Sequence, residues 1–153
     1  MKLEGAFSVA APRSKVWSCI TDPGVMAGCV PGCSRIEQLS PTRYRAVVAV
    51  AVGPIKASFN LVVEVTAEEP PLRVLSSTRG EEGTRASMLA ADNVVELAER
   101  ADGGTDIAYR SEVSVTGRLG KFGLGVMKKK AEALSADFVE AFRAHVERAA
   151  DEA

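Results

Sequence analysis

Residues 42–69, TRYRAVVAVAVGPIKASFNLVVEVTAEE, contain two alternating segments joined by Gly53-Pro54. In each segment every second residue is apolar or small, which is the period of a β-strand with one covered face. A connector this short cannot hold a crossover helix, so the two strands are predicted to pair antiparallel. Their predicted inward residues are Tyr44, Ala46, Val48, Val50, Ile55, Ala57, Phe59, Leu61 and Val63.

Similar segments flank this hairpin on both sides. Residues 33–40 precede it, and residues 72–80, 84–100 and 105–117 follow it, each bounded by a turn that contains Gly or Pro. The chain begins with a further alternating segment over residues 2–10. Together these patterns predict a seven-stranded antiparallel sheet built largely from consecutive hairpins.

Three helices are predicted outside the sheet. Residues 11–20 and 21–28 form two short ones, each with a proline at its start. A third runs from about residue 119 to 150, a segment without proline, and would be about 45 Å long at about 1.5 Å per residue. Its apolar residues at helical spacing are Phe122, Val126, Leu134, Phe138, Phe142 and Val146.

The composition is typical of one globular domain, predicted to span residues 1–153, with 46% hydrophobic and 25% charged residues. No run approaches the roughly 20 apolar residues that a membrane span needs. Charges at Glu4, Arg13 and Lys15 leave no secretory signal, so we expect a cytoplasmic location. A formal net charge of −1 argues against a nucleic-acid-binding protein.

The stretch GCVPGCSRIE, residues 28–37, raises the question of a metal or redox site. Cys29 and Cys33 do not have CxxC spacing, and only Cys19 and His145 add further soft ligands. The favoured interpretation is a turn at the Pro-Gly pair, with both cysteines as small, semi-apolar neighbours. No Ser-His-Asp or Cys-His arrangement is visible, so we expect no catalytic residue, no metal and no cofactor.

The order of elements resembles the helix-grip fold of the START-like (SRPBCC) superfamily, an α+β fold in which a curved antiparallel sheet grips a long C-terminal helix. Within it, the chain resembles the CoxG family, the CoxG subunit of carbon monoxide dehydrogenase. The segments that carry the resemblance are LEGAFSVAAPRSKVW (3–17), GCVPGCSRIE (28–37), VGPIKASFNLVVEV (52–65) and VTGRLGKFGLGVMKKKAEALSADFVEAF (115–142). The Val-Pro-Gly-Cys and Gly-Pro-Ile-Lys motifs point to the family, and the strand pattern points to the superfamily.

We predict an apolar cavity between the sheet and the long helix. Seven strands about 4.8 Å apart make a sheet about 30 Å wide, whereas a helix covers about 10 to 12 Å. The predicted lining consists of Trp17, Met26, Tyr44, Val48, Phe59, Leu61, Tyr109, Phe122, Val126, Leu134 and Phe138. Asn93, Tyr109 and Ser111 are predicted to face inward as polar groups that orient a ligand. A fully packed core is the alternative.

Basic residues crowd the start of the predicted long helix. They are Arg118, Lys121, Lys128, Lys129 and Lys130. Acidic residues crowd its end, which is opposite to the arrangement that the helix dipole favours, so helix stability does not explain the pattern. We predict that this surface contacts anionic lipid headgroups or an acidic partner. The alternative is a solvated face without a special role.

The resemblance implies a non-enzymatic binding protein that serves a carbon monoxide dehydrogenase-type molybdenum hydroxylase. It would recruit this enzyme to the membrane or carry a quinone or other lipid. Because the sequence stops at Ala153, directly after the helix, we expect transient, peripheral contact with the cytoplasmic membrane. Two rival functions remain open: a START-like enzyme of polyketide cyclase type, and an interaction module with a filled core.

Overall fold

The computed structural model describes residues 1–83 and 86–151. Within these ranges seven strands form one sheet in the order β1-β7-β6-β5-β4-β3-β2, and every neighbouring pair is antiparallel. The elements, in chain order, are β1 (Lys2–Val9), α1 (Arg13–Ile20), α2 (Pro23–Cys29), β2 (Cys33–Gln38), β3 (Arg43–Val52), β4 (Ile55–Glu69), β5 (Arg73–Glu82), β6 (Ser87–Glu99), β7 (Thr105–Gly117), a one-turn 3₁₀ helix (Leu119–Phe122) and α3 (Leu124–Asp151). The predicted START-like architecture is confirmed.

The hairpin of β3 and β4 shows why the sheet has two different faces. Val52 pairs with Ile55 across the Gly53-Pro54 turn, and the ladder continues to Arg43 and Glu64. Along β3, Ala46, Val48 and Val52 are buried while Arg45, Ala49 and Ala51 are exposed. The alternation therefore directs the apolar residues inward, as the sequence predicts. The edge strands β1 and β2 do not pair with each other, so the sheet stays unclosed.

The turn between β5 and β6 lies later than the sequence indicates. Gly80 and Glu82 are strand residues, and the break comes at Gly83. Gly80 lies in the strand because a Cβ at this position would collide with the Leu61 side chain, which packs over it. Strand β6 begins at Ser87, whereas the first two residues of the predicted 84–100 strand lie outside the described residues.

The predicted helix over residues 119–150 is interrupted near its start. Leu119–Phe122 forms a 3₁₀ turn, and α3 begins only at Leu124. Between them Gly123 has φ 87°, a left-handed conformation that residues with a Cβ rarely adopt. The glycine lets the chain change direction between the end of the sheet and the long helix.

The two ends of the sheet carry different elements. We call the end where β1 passes into α1 the α1 end, and the end where β7 passes into the 3₁₀ helix the 3₁₀ end. Helix α3 crosses the inner face from the 3₁₀ end to the α1 end. There, Phe142 and Val146 join Val9 and Ile107 in one core cluster.

Candidate functional site

The apolar core is divided into two clusters, one at each end of the sheet. The first cluster, at the α1 end, consists of Val9, Ala11, Val16, Cys19, Cys29, Leu97, Ile107, Phe142 and Val146. The second cluster, at the 3₁₀ end, consists of Val52, Ala57, Phe59 and Leu119. Because the second cluster also contacts Val115 of β7, the sheet curls until β3 and β4 approach β7.

A band of polar side chains crosses the inner face between these clusters. Ser76 pairs with Asn93 in the ladder of β5 and β6, and Asn93 pairs with Ser111 in that of β6 and β7. Thr78 is the next inward residue of β5. All four are half-buried. We refer to Ser76, Thr78, Asn93 and Ser111 as the polar band.

The hydrogen bonds of the polar band have a direction. The Ser111 Oγ donates to Asn93 Oδ1 at 2.8 Å, and Asn93 Nδ2 donates to Ser76 Oγ and Thr78 Oγ1, both at 3.3 Å. The two hydroxyls of β5 are thus acceptors within the band, and neither donates to another described residue. Each keeps one O–H donor for a group above the inner face, such as a carbonyl oxygen or water.

Two tyrosines flank the polar band. The Tyr109 ring lies over Gly5 of the edge strand β1, and its centroid is 6.4 Å from that of Phe7. Tyr44, on β3, is half-buried, and burial raises the pKa of its phenol, with a smaller contribution from the neighbouring Cys33. Both phenols therefore stay protonated at neutral pH, as their ordinary pKa of about 10 already favours.

Two clefts open on either side of the first turns of α3. One, of about 440 Å³, lies beyond the point where β1 stops pairing with β7, and Val113, Val115, Leu124 and Met127 help to line it. The other, of about 420 Å³, lies between β1 and α3, with Leu3, Tyr109, Lys128, Glu132 and Ser135 in its wall. A ligand on the inner face would have these two routes past the helix.

The residues predicted to line the cavity fall into three groups. Trp17, Met26 and Phe138 pack against the first cluster. Phe59 belongs to the second cluster, and Leu61 and Phe122 pack against it. Tyr44, Val48, Tyr109 and Leu134 belong to neither cluster, although Val48 is buried. This last group, together with the polar band, describes the middle of the inner face.

Val126 does not lie on the side of α3 that the sequence predicts. Its side chain is 48% exposed, and the adjacent Met127 packs against the second cluster instead. The helix starts at Leu124 rather than near Leu119, so spacing counted from the predicted start selects a neighbouring position. The apolar lining therefore includes Met127 and excludes Val126.

The predicted basic surface is confirmed in position for the lysines only. Lys121, Lys128 and Lys129 are exposed, and Lys130 is half-buried. Arg118 instead forms an ion pair with Glu82, whose side chain is only 8% exposed. The second carboxylate oxygen of Glu82 is buried and has no hydrogen-bond partner among the described residues. Arg118 thus neutralises a buried charge and adds little to the surface potential.

The cysteines occupy different environments. Cys19 and Cys29 are buried in the first cluster, and burial raises the pKa of both thiols. Cys33 is half-buried at the start of β2. The chain turns at Pro31-Gly32 between α2 and β2, as the sequence predicts. Over residues 1–83 and 86–151, no three His, Cys, Asp or Glu side chains are grouped as a metal site would require.

The length and hydropathy of the helices also bear on the relation to membranes. In the described part of the chain, none of them combines the length and the apolar character needed to cross a bilayer.

The family model described as the CoxG subunit of carbon monoxide dehydrogenase matches residues 5–147, nearly the whole chain. The chain belongs to the CoxG family. No protein with a curated description matches it. Family membership accounts for the Val-Pro-Gly-Cys turn and the Gly-Pro-Ile-Lys hairpin as shared features rather than isolated motifs.

Solved structures share the fold of this CoxG-family chain. A conserved protein from Geobacillus kaustophilus superimposes with a TM-score of 0.89 at 23% identity, covering 97% of this chain and 96% of that one. A START superfamily protein from Mycobacterium smegmatis gives 0.72 at 16% identity, covering 96% and 97%. The ZhuI aromatase/cyclase from Streptomyces gives 0.68 at 16% identity, covering 97% and 94%. These likenesses establish a START-like fold.

Sequence reasoning identifies half of the polar band. Asn93 and Ser111 are predicted to face inward, but Ser76 and Thr78 are not singled out. The signal is present, because Val74, Ser76 and Thr78 occupy alternate positions of one strand. Serine and threonine in a strand carry no signature that separates a ligand contact from a solvated position. Only pairing with β6 brings them to Asn93.

Proposed function

We propose that this CoxG-family protein binds a quinone or another lipid-like ligand on the inner face of the sheet, without catalysing a reaction. The ligand lies between the two apolar clusters, with its polar group at the polar band. In this role the protein serves a carbon monoxide dehydrogenase-type molybdenum hydroxylase. It carries the ligand between enzyme and membrane, or recruits the enzyme to the membrane.

The division of the core is the observation that carries the proposal. A helix packed on a filled core would bury the middle of the sheet, yet Tyr44, Val63 and Asn93 are only half-buried. The middle is apolar along β3 and β4 and polar along β5 to β7. Ligand sites are mostly apolar with a few polar groups that fix orientation, and this face has that composition.

The chemistry of the inner face supports binding rather than catalysis. General acid–base catalysis needs a group whose pKa is close to the working pH. Among the described inward residues of the sheet, Glu82 is the carboxylate, and it is paired with Arg118 at the 3₁₀ end. Tyr44 and Tyr109 are phenols that stay protonated. We therefore propose that the START-like enzymes that share this fold use residues for which this chain has no equivalent pair.

The family name supports the choice of partner. A protein described as the CoxG subunit of carbon monoxide dehydrogenase is expected to act with that enzyme. The exposed lysines at the start of α3 supply a positive surface for an acidic partner or an anionic membrane. Since the same end carries the cleft beside β7, contact there would place the ligand route next to the partner.

Ligand extraction followed by titration tests the proposal. Protein purified from its native host, or reconstituted with a short-chain ubiquinone analogue, is expected to hold one lipid-like molecule in native mass spectrometry. Asn93→Leu removes the amide that fixes both β5 hydroxyls, so affinity should fall by about tenfold, the equivalent of one to two hydrogen bonds. Unfolding free energy should change little, because the site is open to water.

Asn60→Leu is the matched control, because Asn60 lies exposed on the outer face of β4. It should leave ligand affinity unchanged. A wild-type protein that yields no lipid and binds no quinone analogue would refute the proposal. So would an Asn93→Leu variant that loses stability as a filled core does while ligand binding is absent in both proteins.

A further inference from the structure

We propose that Leu124 and Val126, at the start of α3, insert into the surface of an anionic lipid bilayer. We call these two residues the α3 tip. The tip rests on the proposed function only in its biological purpose, which is to bring the ligand route to the membrane. The docking itself depends on the exposed side chains and on the charges around them.

The exposure of the α3 tip is the first observation. Leu124 is 73% exposed and Val126 is 48% exposed. Their neighbours Phe122 and Met127 pack against the second cluster, so the backbone is held in place while the two side chains extend outward. Single exposed apolar residues are common on protein surfaces, and this pair gains meaning from its surroundings.

Those surroundings are positively charged. Lys128 follows Leu124 by four residues, and Lys129 and Lys130 follow Val126 by three and four, which makes them neighbours on the helix surface. Lys121 precedes the tip in the 3₁₀ helix. Within the described ranges none of these lysines forms an ion pair, and the first turn of α3 contains no acidic residue. The apolar tip is thus bordered by uncompensated cations.

This combination favours a bilayer over a protein partner. The centres of protein interfaces are depleted in lysine, whereas segments that lie at membrane surfaces combine Leu with a lysine-rich border. Lysine stems lie along apolar surface while the ammonium groups reach the headgroups. Positive charge around the tip is complementary to anionic phospholipid.

The position of the α3 tip gives the contact a consequence. Leu124 lines the cleft of about 440 Å³ that separates β7 from the first turn of α3. A bilayer in contact with the tip would therefore lie against the mouth of this cleft. A lipid-like ligand could pass between the membrane and the inner face without crossing water.

Vesicle co-sedimentation tests the inference. The full chain is mixed with vesicles of phosphatidylcholine containing phosphatidylglycerol, and with vesicles of phosphatidylcholine alone. Binding is expected only to the anionic vesicles and should weaken as salt is added. The double variant Leu124→Ser with Val126→Ser should lose binding by about tenfold or more, since the apolar area that enters the bilayer is removed.

Leu72→Ser is the matched control. Leu72 is 49% exposed in the turn between β4 and β5, at the opposite end of the sheet, so its loss should leave vesicle binding unchanged. Lys128→Glu with Lys129→Glu should also weaken binding by about tenfold or more. Circular dichroism checks that each variant is folded, and exposed positions make misfolding a small risk.

Each remaining outcome overturns a different statement. Loss with the lysine variants but not with the serine variants would show electrostatic adsorption without insertion, and the inference would fall. A wild-type protein that ignores anionic vesicles yet binds a quinone analogue would refute the tip and leave the proposed function standing. Vesicle binding without any ligand on the inner face would do the reverse.

Discussion

The α1 end and the 3₁₀ end of the molecule are built on different principles. At the α1 end, Phe142 stacks on Phe138 at 5.8 Å and meets the edge of Phe7 at 6.3 Å. At the 3₁₀ end the chain bends at Gly123 and leaves Leu124 exposed to solvent. The first end holds the long helix on the sheet, and the second leaves room for a ligand and a surface to contact.

This contrast shows how one helix serves two purposes. Helix α3 is anchored through its C-terminal half, where Phe142 and Val146 are 1% and 0% exposed. Its N-terminal half carries the lysines and borders both clefts. Stability and access can thus change separately, and the following predictions test that separation.

The largest effect is expected for Phe142→Ala. This side chain fills the first cluster, and the cavity left by its removal should lower the free energy of unfolding by about 3 to 5 kcal/mol. Urea denaturation gives the value. Phe122→Ala, in the half-buried part of the second cluster, should cost clearly less. Equal losses at the two positions would contradict the contrast between the ends.

A smaller effect is expected for Arg118→Met at the 3₁₀ end. The variant leaves the buried Glu82 carboxylate without its counter-charge, which should cost about 2 kcal/mol of unfolding free energy. Adding Glu82→Gln removes the charge and should restore part of the loss. If the double variant is no more stable than Arg118→Met alone, the pair does not act as described.

The smallest effect is expected from an exposed network at the α1 end. Asp106 accepts hydrogen bonds from Ser8 at 2.6 Å and Arg100 at 2.7 Å, and these two contacts lower its pKa below the ordinary value of 3.8. A lowered carboxyl pKa stabilises the folded state above pH 3.8, and the contribution disappears as pH falls through the folded-state value.

Asp106→Asn should therefore lower the thermal unfolding midpoint slightly at neutral pH. The difference from the wild type should vanish in strongly acidic solution, where both side chains are uncharged. Scanning calorimetry from neutral to acidic pH provides the comparison. A difference that persists or grows in acid would assign the effect to packing instead of to charge.

Much of the fold could be predicted from the sequence because it depends on local signals. Alternating residues around Gly53-Pro54 predict a hairpin from period and turn chemistry alone. The end of β5 was missed because Gly80 is usually a turn residue, and its reason to be in a strand is the Leu61 side chain of another strand. Only the paired sheet contains that information.

The candidate site was predicted less completely for the same reason. Tyr44 and Tyr109 follow from strand alternation, but Ser76 and Thr78 acquire a role only through Asn93 on the neighbouring strand. Arg118 looked like a surface cation because nothing in the sequence places Glu82 beside it. Contacts between distant segments decide these assignments, and a single sequence does not contain them.

The most direct test of the central claim is a titration of isotope-labelled protein with a short-chain ubiquinone analogue, followed by amide NMR shifts. The account predicts shifts centred on Thr78, Asn93 and Ser111, with none at the outer-face groove that Asn60 and Met88 help to line. Shifts confined to that outer groove, or no shifts at all, would contradict a ligand site on the inner face.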